Sequence, residues 1–209
     1  MTETLFLDGD KRKTIQQATD LLRAGELIVF PTDTVYGVGC DPWNAAAIAR
    51  LYAAKQRDLD KGIPILLADI SDLGKVCTTV PEAATLLIRH FWPGPLTLIV
   101  PRHPALPPSI SPGNNIAVRL PAHTLARQII RQIGGAMAVT SANRSGEAPA
   151  LTANMAWSAL VGQVAAIIDG AHAYHAAAST IVDCTVTPIS IVRPGPISEK
   201  ELLETLENA

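Results

Sequence analysis

Leu27-Ile28-Val29-Phe30 runs straight into Pro31-Thr32-Asp33-Thr34-Val35-Tyr36-Gly37. Four apolar residues without alternation read as a strand buried on both faces, the kind found inside a sheet that helices cover. Pro31 breaks it, because proline cannot donate to a ladder. Upstream, residues 14–23 place Ile15, Ala18 and Leu22 at helical spacing, and Gly25 stands where a helix would stop. A helix feeding a buried strand that opens into a polar loop is the repeating unit of layered α/β proteins.

The same alternation continues outward from this stretch. Helices are predicted at residues 44–54, with Asp41 or Asn44 as cap, and at 81–91, 124–133, 153–161 and 198–207. The last opens with Ser198 and Glu201, a capping-box pair. Strands are predicted at 63–67, 96–100, 116–119, 136–140, 165–168, 180–183 and 190–193, with a proline-rich loop over 101–112. The 209 residues are 48% hydrophobic, 17% charged and only 4% aromatic. That is ample apolar material for one core over residues 1–209, and it argues against disorder.

Charge and cysteine usage narrow the setting. The formal net charge is −2, so nucleic-acid binding through bulk electrostatics is not expected, and any polyanion site must be a local cluster. No apolar run reaches the roughly 20 residues of a membrane helix, and residues 1–13 lack a signal-peptide pattern. Cys40, Cys77 and Cys184 have no Cys-x-x-Cys spacing and read as reduced, buried thiols, which suits the cytoplasm.

Four places put polar residues at the ends of apolar strands, where open α/β sheets hold ligands. The loop 31–37 offers three hydroxyls and a carboxylate, either around a small polar ligand or satisfying its own backbone. Lys55-Gln56-Arg57 closes the alanine-rich helix, either as a phosphate clamp or as plain complement to the helix dipole. Thr140-Ser141-Ala142-Asn143 leaves a strand as an anion nest or as an ordinary turn. Arg119 and Arg193 each end an apolar run before a proline, so both charges lie at the edge of the sheet. There is no Walker loop, Gly-x-Gly-x-x-Gly, Gly-x-Ser-x-Gly or zinc spacing, and His172 with His175 reads as a loop pair rather than a metal site. From the residues alone this is an α/β protein with an anion-binding cavity.

Seven segments, in order, sharpen that reading. They are 31–39 (PTDTVYGVG), Lys55-x-Arg57, 92–97 (WPGPLT), 117–121 (AVRLP), Ser141-Ala-Asn143-x-Ser-Gly146, 179–183 (STIVD) and Arg193-Pro-Gly195. Together they resemble the YrdC/TsaC family of threonylcarbamoyl-adenylate synthases, in its short single-domain form. The resemblance implies a twisted, open, mixed sheet flanked by helices around a large concave cationic cavity. It implies ATP binding by Lys55, Arg57, Ser141, Asn143 and Arg193, with Lys55 and Arg57 catalytic. Arg119 would hold the threonine carboxylate, and Thr34, Tyr36 and Ser179 would complete the threonine site. Many relatives have proline after Lys-x-Arg, where this chain has Asp58. Some carry a threonine-contacting histidine near the strand that here reads Pro64-Ile65-Leu66-Leu67.

The implied reaction joins L-threonine and bicarbonate as a carbamate, which attacks the α-phosphate of ATP to give threonylcarbamoyl-AMP and pyrophosphate for tRNA modification. Mg2+ would be held mainly by the nucleotide, and no protein metal site is expected. Such chemistry needs positioning and charge neutralisation more than a protein nucleophile. Replacing Lys55, taken as exposed, would then cost activity and little stability. Weak RNA contact and a downstream threonylcarbamoyl transferase complex are the implied macromolecular partners. Three alternatives stand beside this reading: a carbamoyl-phosphate-handling transferase domain, a non-catalytic RNA-binding module, and a relative that lost the activity.

Overall fold

The computed structural model describes residues 3–170 and 177–208; His172 and His175 lie outside them. In chain order the elements are β1 (Leu5–Asp8), α1 (Arg12–Arg23), β2 (Ile28–Phe30), β3 (Gly37–Cys40), α2 (Ala45–Lys55) and β4 (Ile65–Leu67). Next come α3 (Glu82–Phe91), β5 (Leu96–Pro101), β6 (Asn115–Arg119), α4 (Thr124–Gln132), β7 (Ala136–Ser141) and α5 (Ala153–Leu160). The chain closes with β8 (Ala166–Asp169), β9 (Thr180–Asp183), β10 (Ser190–Arg193) and α6 (Glu199–Glu207). Asn44 caps α2 by accepting from Ala47 N–H at 3.0 Å, and the Ser198/Glu201 capping box opens α6.

Among the described residues the strands form one mixed sheet, ordered β1-β8-β2-β3-β7-β4-β6-β5-β9-β10. The pairs β1–β8, β2–β8, β4–β6 and β5–β9 are parallel, and the rest antiparallel. The predicted twisted mixed sheet with flanking helices is therefore the observed architecture.

Two strands escape a reading of the sequence by pattern. β1 is a four-residue edge strand whose Leu5 and Phe6 are exposed, so no alternation marks it. β3 reads Gly-Val-Gly-Cys and falls within a stretch that reads as loop, yet it is fully buried. Its glycines answer to packing. A Cβ on Gly39 would come within 2.7 Å of Met137 Sδ and 3.0 Å of Ala138 O, and one on Gly37 within 2.7 Å of Val139 Cγ1.

Helix cover over the two faces is unequal. On one face, α2, α3, α5 and α6 pack a core along the sheet through Ile48, Leu51, Leu87, Ala156 and Leu202. On the other, α1 and α4 cover only β8, β2, β3, β7 and β4, through Leu22, Ala126, Ile129 and Ile130. β6, β5, β9 and β10 are left bare on that face, and a cavity of about 720 Å³ lies there.

Candidate active site

Strand periodicity builds the cavity floor. Thr97 and Ile99 of β5, Asn115, Ala117 and Arg119 of β6, and Ile181 and Asp183 of β9 point into it. Their neighbours Leu98, Ile116, Val118 and Val182 point into the core on the far face. Loops from β2, α2 and β7 complete the walls with Thr34, Arg57, Ser141 and Asn143.

One end of the cavity is organised around Arg119. Its Nε donates to Gly94 O at 2.9 Å, one Nη to Thr34 Oγ1 at 2.7 Å, and the other to Asp33 Oδ1 at 2.6 Å. Arg119 and Asp33 are 5% and 3% exposed, so this is a buried ion pair, and Asp33 Oδ2 has no hydrogen-bond partner among the described residues. Burial pulls the guanidinium pKa down, and Asp33 opposes that pull. Thr32 takes the backbone role: its hydroxyl donates to Val35 O and accepts from Thr34 N–H. The backbone reading of the loop 31–37 thus holds for Thr32, while Thr34 turns its hydroxyl to Arg119 and lines the cavity.

Beside it, the Ser179 and Thr97 hydroxyls lie 2.7 Å apart. Arg193 donates through Nε and Nη2 to Ser179 O at 3.1 and 2.8 Å, and through Nη2 to Ser179 Oγ at 3.2 Å. Its pKa is lowered first by burial and then by the like charge of Arg119. Two guanidinium groups that repel each other beside three hydroxyls make a place that an anion would stabilise.

Lys55 departs from expectation. Gln56 adopts a left-handed φ of 51° after α2 and turns the chain, so that Lys55 is 1% exposed rather than projecting into solvent. Its ammonium donates to Ser141 O, to Asn143 O at 2.6 Å and to Asn143 Oδ1 at 3.1 Å. Burial first, then Arg57, lowers its pKa to about 8, against a smaller opposing pull from Glu147. Ser141 Oγ donates to Asn143 Oδ1, while Asn143 Nδ2 donates to Glu147 O at 2.6 Å and Arg144 O at 3.0 Å. Lys55 therefore lies beneath the Ser141–Asn143 turn, outside the cavity lining, and shapes it from below.

Arg57 does line the cavity, with Nε on Lys61 O at 2.9 Å and Nη2 on Gly62 O at 2.8 Å. Asp58 pairs with Lys61 at 2.6 Å on the surface of the same loop. Tyr36 is fully buried and its side chain lies in the core; its hydroxyl reaches Asp169 Oδ1 and Gly170 N, each at 3.5 Å. Tyr36 reaches the site through its backbone, whose carbonyl accepts from Ala142 N–H at 2.8 Å.

Seven of the nine predicted site residues, Thr34, Arg57, Arg119, Ser141, Asn143, Ser179 and Arg193, thus face one cavity. Thr97, Asn115 and Asp183 join them and were not singled out from sequence, although their alternation with apolar residues in strands was available as a signal. The lining also holds Asp60, Glu147 and Asp183, three carboxylates against three arginines. Arg119 and Arg193 stand close enough in this lining for Arg119 to lower the Arg193 pKa, and Arg119 is itself paired with Asp33.

Comparison with known proteins gives the family and the fold. A Bacillus subtilis protein named threonylcarbamoyl-AMP synthase is 39% identical over 190 residues, which are 90% of this chain and 55% of that protein. A Chromohalobacter salexigens protein of the same name is 38% identical over 170 residues, covering 81% of this chain and 91% of that one. The crystal structure of Pyrococcus abyssi Sua5 complexed with L-threonine superimposes with a TM-score of 0.92 at 32% identity, over 98% of this chain and 61% of that one. The chain thus spans little more than half of the longer relatives and nearly all of a shorter one. The Sua5/YciO/YrdC family model, described as "Telomere recombination", matches residues 20–195. The chain belongs to the Sua5/YciO/YrdC family.

Proposed function

We propose that residues 1–209 act as one catalytic domain, an L-threonylcarbamoyladenylate synthase. The observation that carries this is the Arg119–Arg193 pair set among the Thr34, Thr97 and Ser179 hydroxyls, which suits an amino acid bearing both a carboxylate and a hydroxyl. Relatives of that name, and a relative's complex with L-threonine, support it.

In this reading Arg119, held rigid by three protein acceptors, grips the threonine carboxylate. Thr34 and Ser179 engage the threonine hydroxyl; Tyr36 braces the loop from behind. The free amine takes up bicarbonate or CO2 as a carbamate, and water leaves when bicarbonate is the source. A carbamate oxygen then bonds to the α-phosphorus of ATP as the bond to pyrophosphate breaks. Ser141, Asn143, Arg57 and Arg193 meet phosphate oxygens, and Lys55 keeps the Ser141–Asn143 turn positively polarised from beneath. Among the described residues no three His, Cys, Asp or Glu side chains gather to hold a metal. Mg2+ is taken in this reading as the nucleotide's own counter-ion, and no step here depends on it.

The product supplies a downstream threonylcarbamoyl transferase complex acting on tRNA, with at most weak RNA contact by this chain. Among the described residues no helix is long and apolar enough to cross a membrane, and the three free cysteines are buried. The reduced, buried cysteines are the feature that supports the cytoplasmic setting of this reading. The test is pyrophosphate release from ATP with bicarbonate and either threonine, serine or no amino acid. Strong threonine dependence, lost in Arg119→Ala but not in a surface variant, is expected; release indifferent to threonine refutes the reading.

A further inference from the structure

The sheet ends in two edges, and they differ. At one edge β10 is interrupted by a register shift between Ile191 and Arg193 and flanked by Pro188 and Pro194, devices that keep another strand from adding to it. At the other edge β1 has none of these: it reads Leu5-Phe6-Leu7-Asp8, and its register with β8 runs without a break. Leu5 N–H donates to Ala165 O and Gly9 N–H to Asp169 O, so residues 5, 7 and 9 turn their backbone groups toward β8. Thr4, Phe6 and Asp8 turn theirs outward. The Asp8 carbonyl is taken by Lys11 N–H and the Thr14 hydroxyl. Among the described contacts Phe6 N–H, Phe6 O, Thr4 O and Asp8 N–H have no partner.

This outward row is self-complementary about Phe6. A second copy laid antiparallel, its Phe6 opposite Phe6, closes both bonds of a hydrogen-bonded pair between these two residues and joins each Asp8 N–H to the partner's Thr4 O. The side chains agree on both faces. On one, the two Phe6 rings meet, each already edge-on to its own Trp157 at 5.7 Å, with exposed Val161 one helical turn beyond that tryptophan. On the other, Leu5 meets the partner's Leu7. Phe6 is 47% and Leu5 40% exposed in the single chain, apolar surface that this pairing covers. Charge favours the same direction. Antiparallel pairing brings Glu3 to the end from which the partner's Lys11, Arg12 and Lys13 leave, whereas parallel pairing sets those cations side by side.

We propose that β1 is a homodimer interface, at which two copies join edge to edge, antiparallel about Phe6, into one continuous sheet. The contact uses the same patch on both copies, so it closes at two, and the blunted β10 edges stop further growth. The cavity floor begins at β6, six strand places from β1 or about 29 Å away, so each copy keeps its own open cavity. The inference is independent of the synthase reading. A four-residue strand makes a small interface, for which a Kd of about 1–100 µM is expected.

Sedimentation velocity at protein concentrations from about 1 to about 200 µM spans that range and reads the assembly. The wild type should pass from monomer to dimer and stop there. Phe6→Lys, a charge placed on the open edge, should raise the Kd at least about 10-fold, and Val192→Lys on β10 should leave it unchanged. Urea unfolding of each variant checks the fold. The register is read separately by mild oxidation of single-cysteine additions, since the native cysteines are buried. Facing Phe6 positions lie about 5.5 Å apart at Cα, within disulfide reach, so Phe6→Cys should crosslink the dimer. Facing Leu5 positions are two residues out of register and about 8 Å apart, so Leu5→Cys should not. Should Phe6→Lys fail to fold, this pair of cysteine variants decides. A wild type that stays monomeric throughout, growth beyond the dimer, association indifferent to Phe6→Lys, or equal crosslinking by Leu5→Cys would overturn the proposal.

Discussion

Replacing Lys55 with methionine separates the two things this residue does. The ammonium is 1% exposed and its pKa falls from 10.5 to about 8. In the folded chain the proton therefore leaves near pH 8, and in the unfolded chain only near 10.5. Between those values the unfolded state binds more protons, so stability rises with pH across that window. The difference in pKa corresponds to on the order of 3 kcal/mol. Below pH 8 the full penalty for holding a buried charge is present, partly offset by the three hydrogen bonds to Ser141 and Asn143.

Buried cysteines act in the opposite sense. Cys40 and Cys184 have pKa values pushed up to about 12, so the unfolded state loses their protons first, and above pH 9 they lower stability as pH rises. Comparing wild type with Lys55→Met cancels that contribution, because both proteins keep the cysteines. Urea unfolding from pH 7 to 10.5 should show the wild type gaining on the variant by that amount, with most of the gain above pH 8. At pH 7 the variant should be about as stable as the wild type or better, with its pyrophosphate release strongly reduced. Parallel stability curves for the two proteins would refute the argument that Lys55 is a buried, charged strut.

Two further perturbations follow from the geometry. Arg119→Ala leaves Asp33 buried and uncompensated, so urea unfolding should show a loss of about 3–5 kcal/mol. The double variant Arg119→Met/Asp33→Asn should recover much of it while staying inactive. Gly195→Ala places a Cβ 2.4 Å from Thr180 N, 2.7 Å from Ala178 O and 2.7 Å from Ser179 C, all backbone. Relief must move the segment that carries Ser179, so a loss of about 1–3 kcal/mol in unfolding should accompany a raised KM for threonine.

Much of the fold is legible along the chain because periodicity is a local property. Residues 180–183 and 190–193 bound β9 and β10 as predicted, and Asn44 and Ser198 mark their helix starts by their own hydrogen-bonding chemistry. β3 was illegible because its glycines answer to Met137 and Val139, about a hundred residues away, and not to any strand propensity. The site divides in the same way. Arg119 and Arg193 were legible as strand ends, since each closes an apolar run before proline, but Arg119 lies buried on an interior strand rather than at the sheet's edge. Asp58 in place of proline is accounted for by its surface pair with Lys61.

The sequence by itself determined the order of the helices and of every strand but β1 and β3, the family, and which polar residues end strands. Those properties depend on spacing within a few residues. Tertiary structure decided that helices cover one face of the sheet and only half of the other, which is why a cavity exists at all. It also decided that Lys55 lies under the nest rather than in it, that the Tyr36 hydroxyl faces away from the cavity, and that Asp33 neutralises Arg119. These contacts join residues 86 to 133 positions apart. No local pattern encodes them, because burial and charge pairing are settled only when distant segments share one low-dielectric interior.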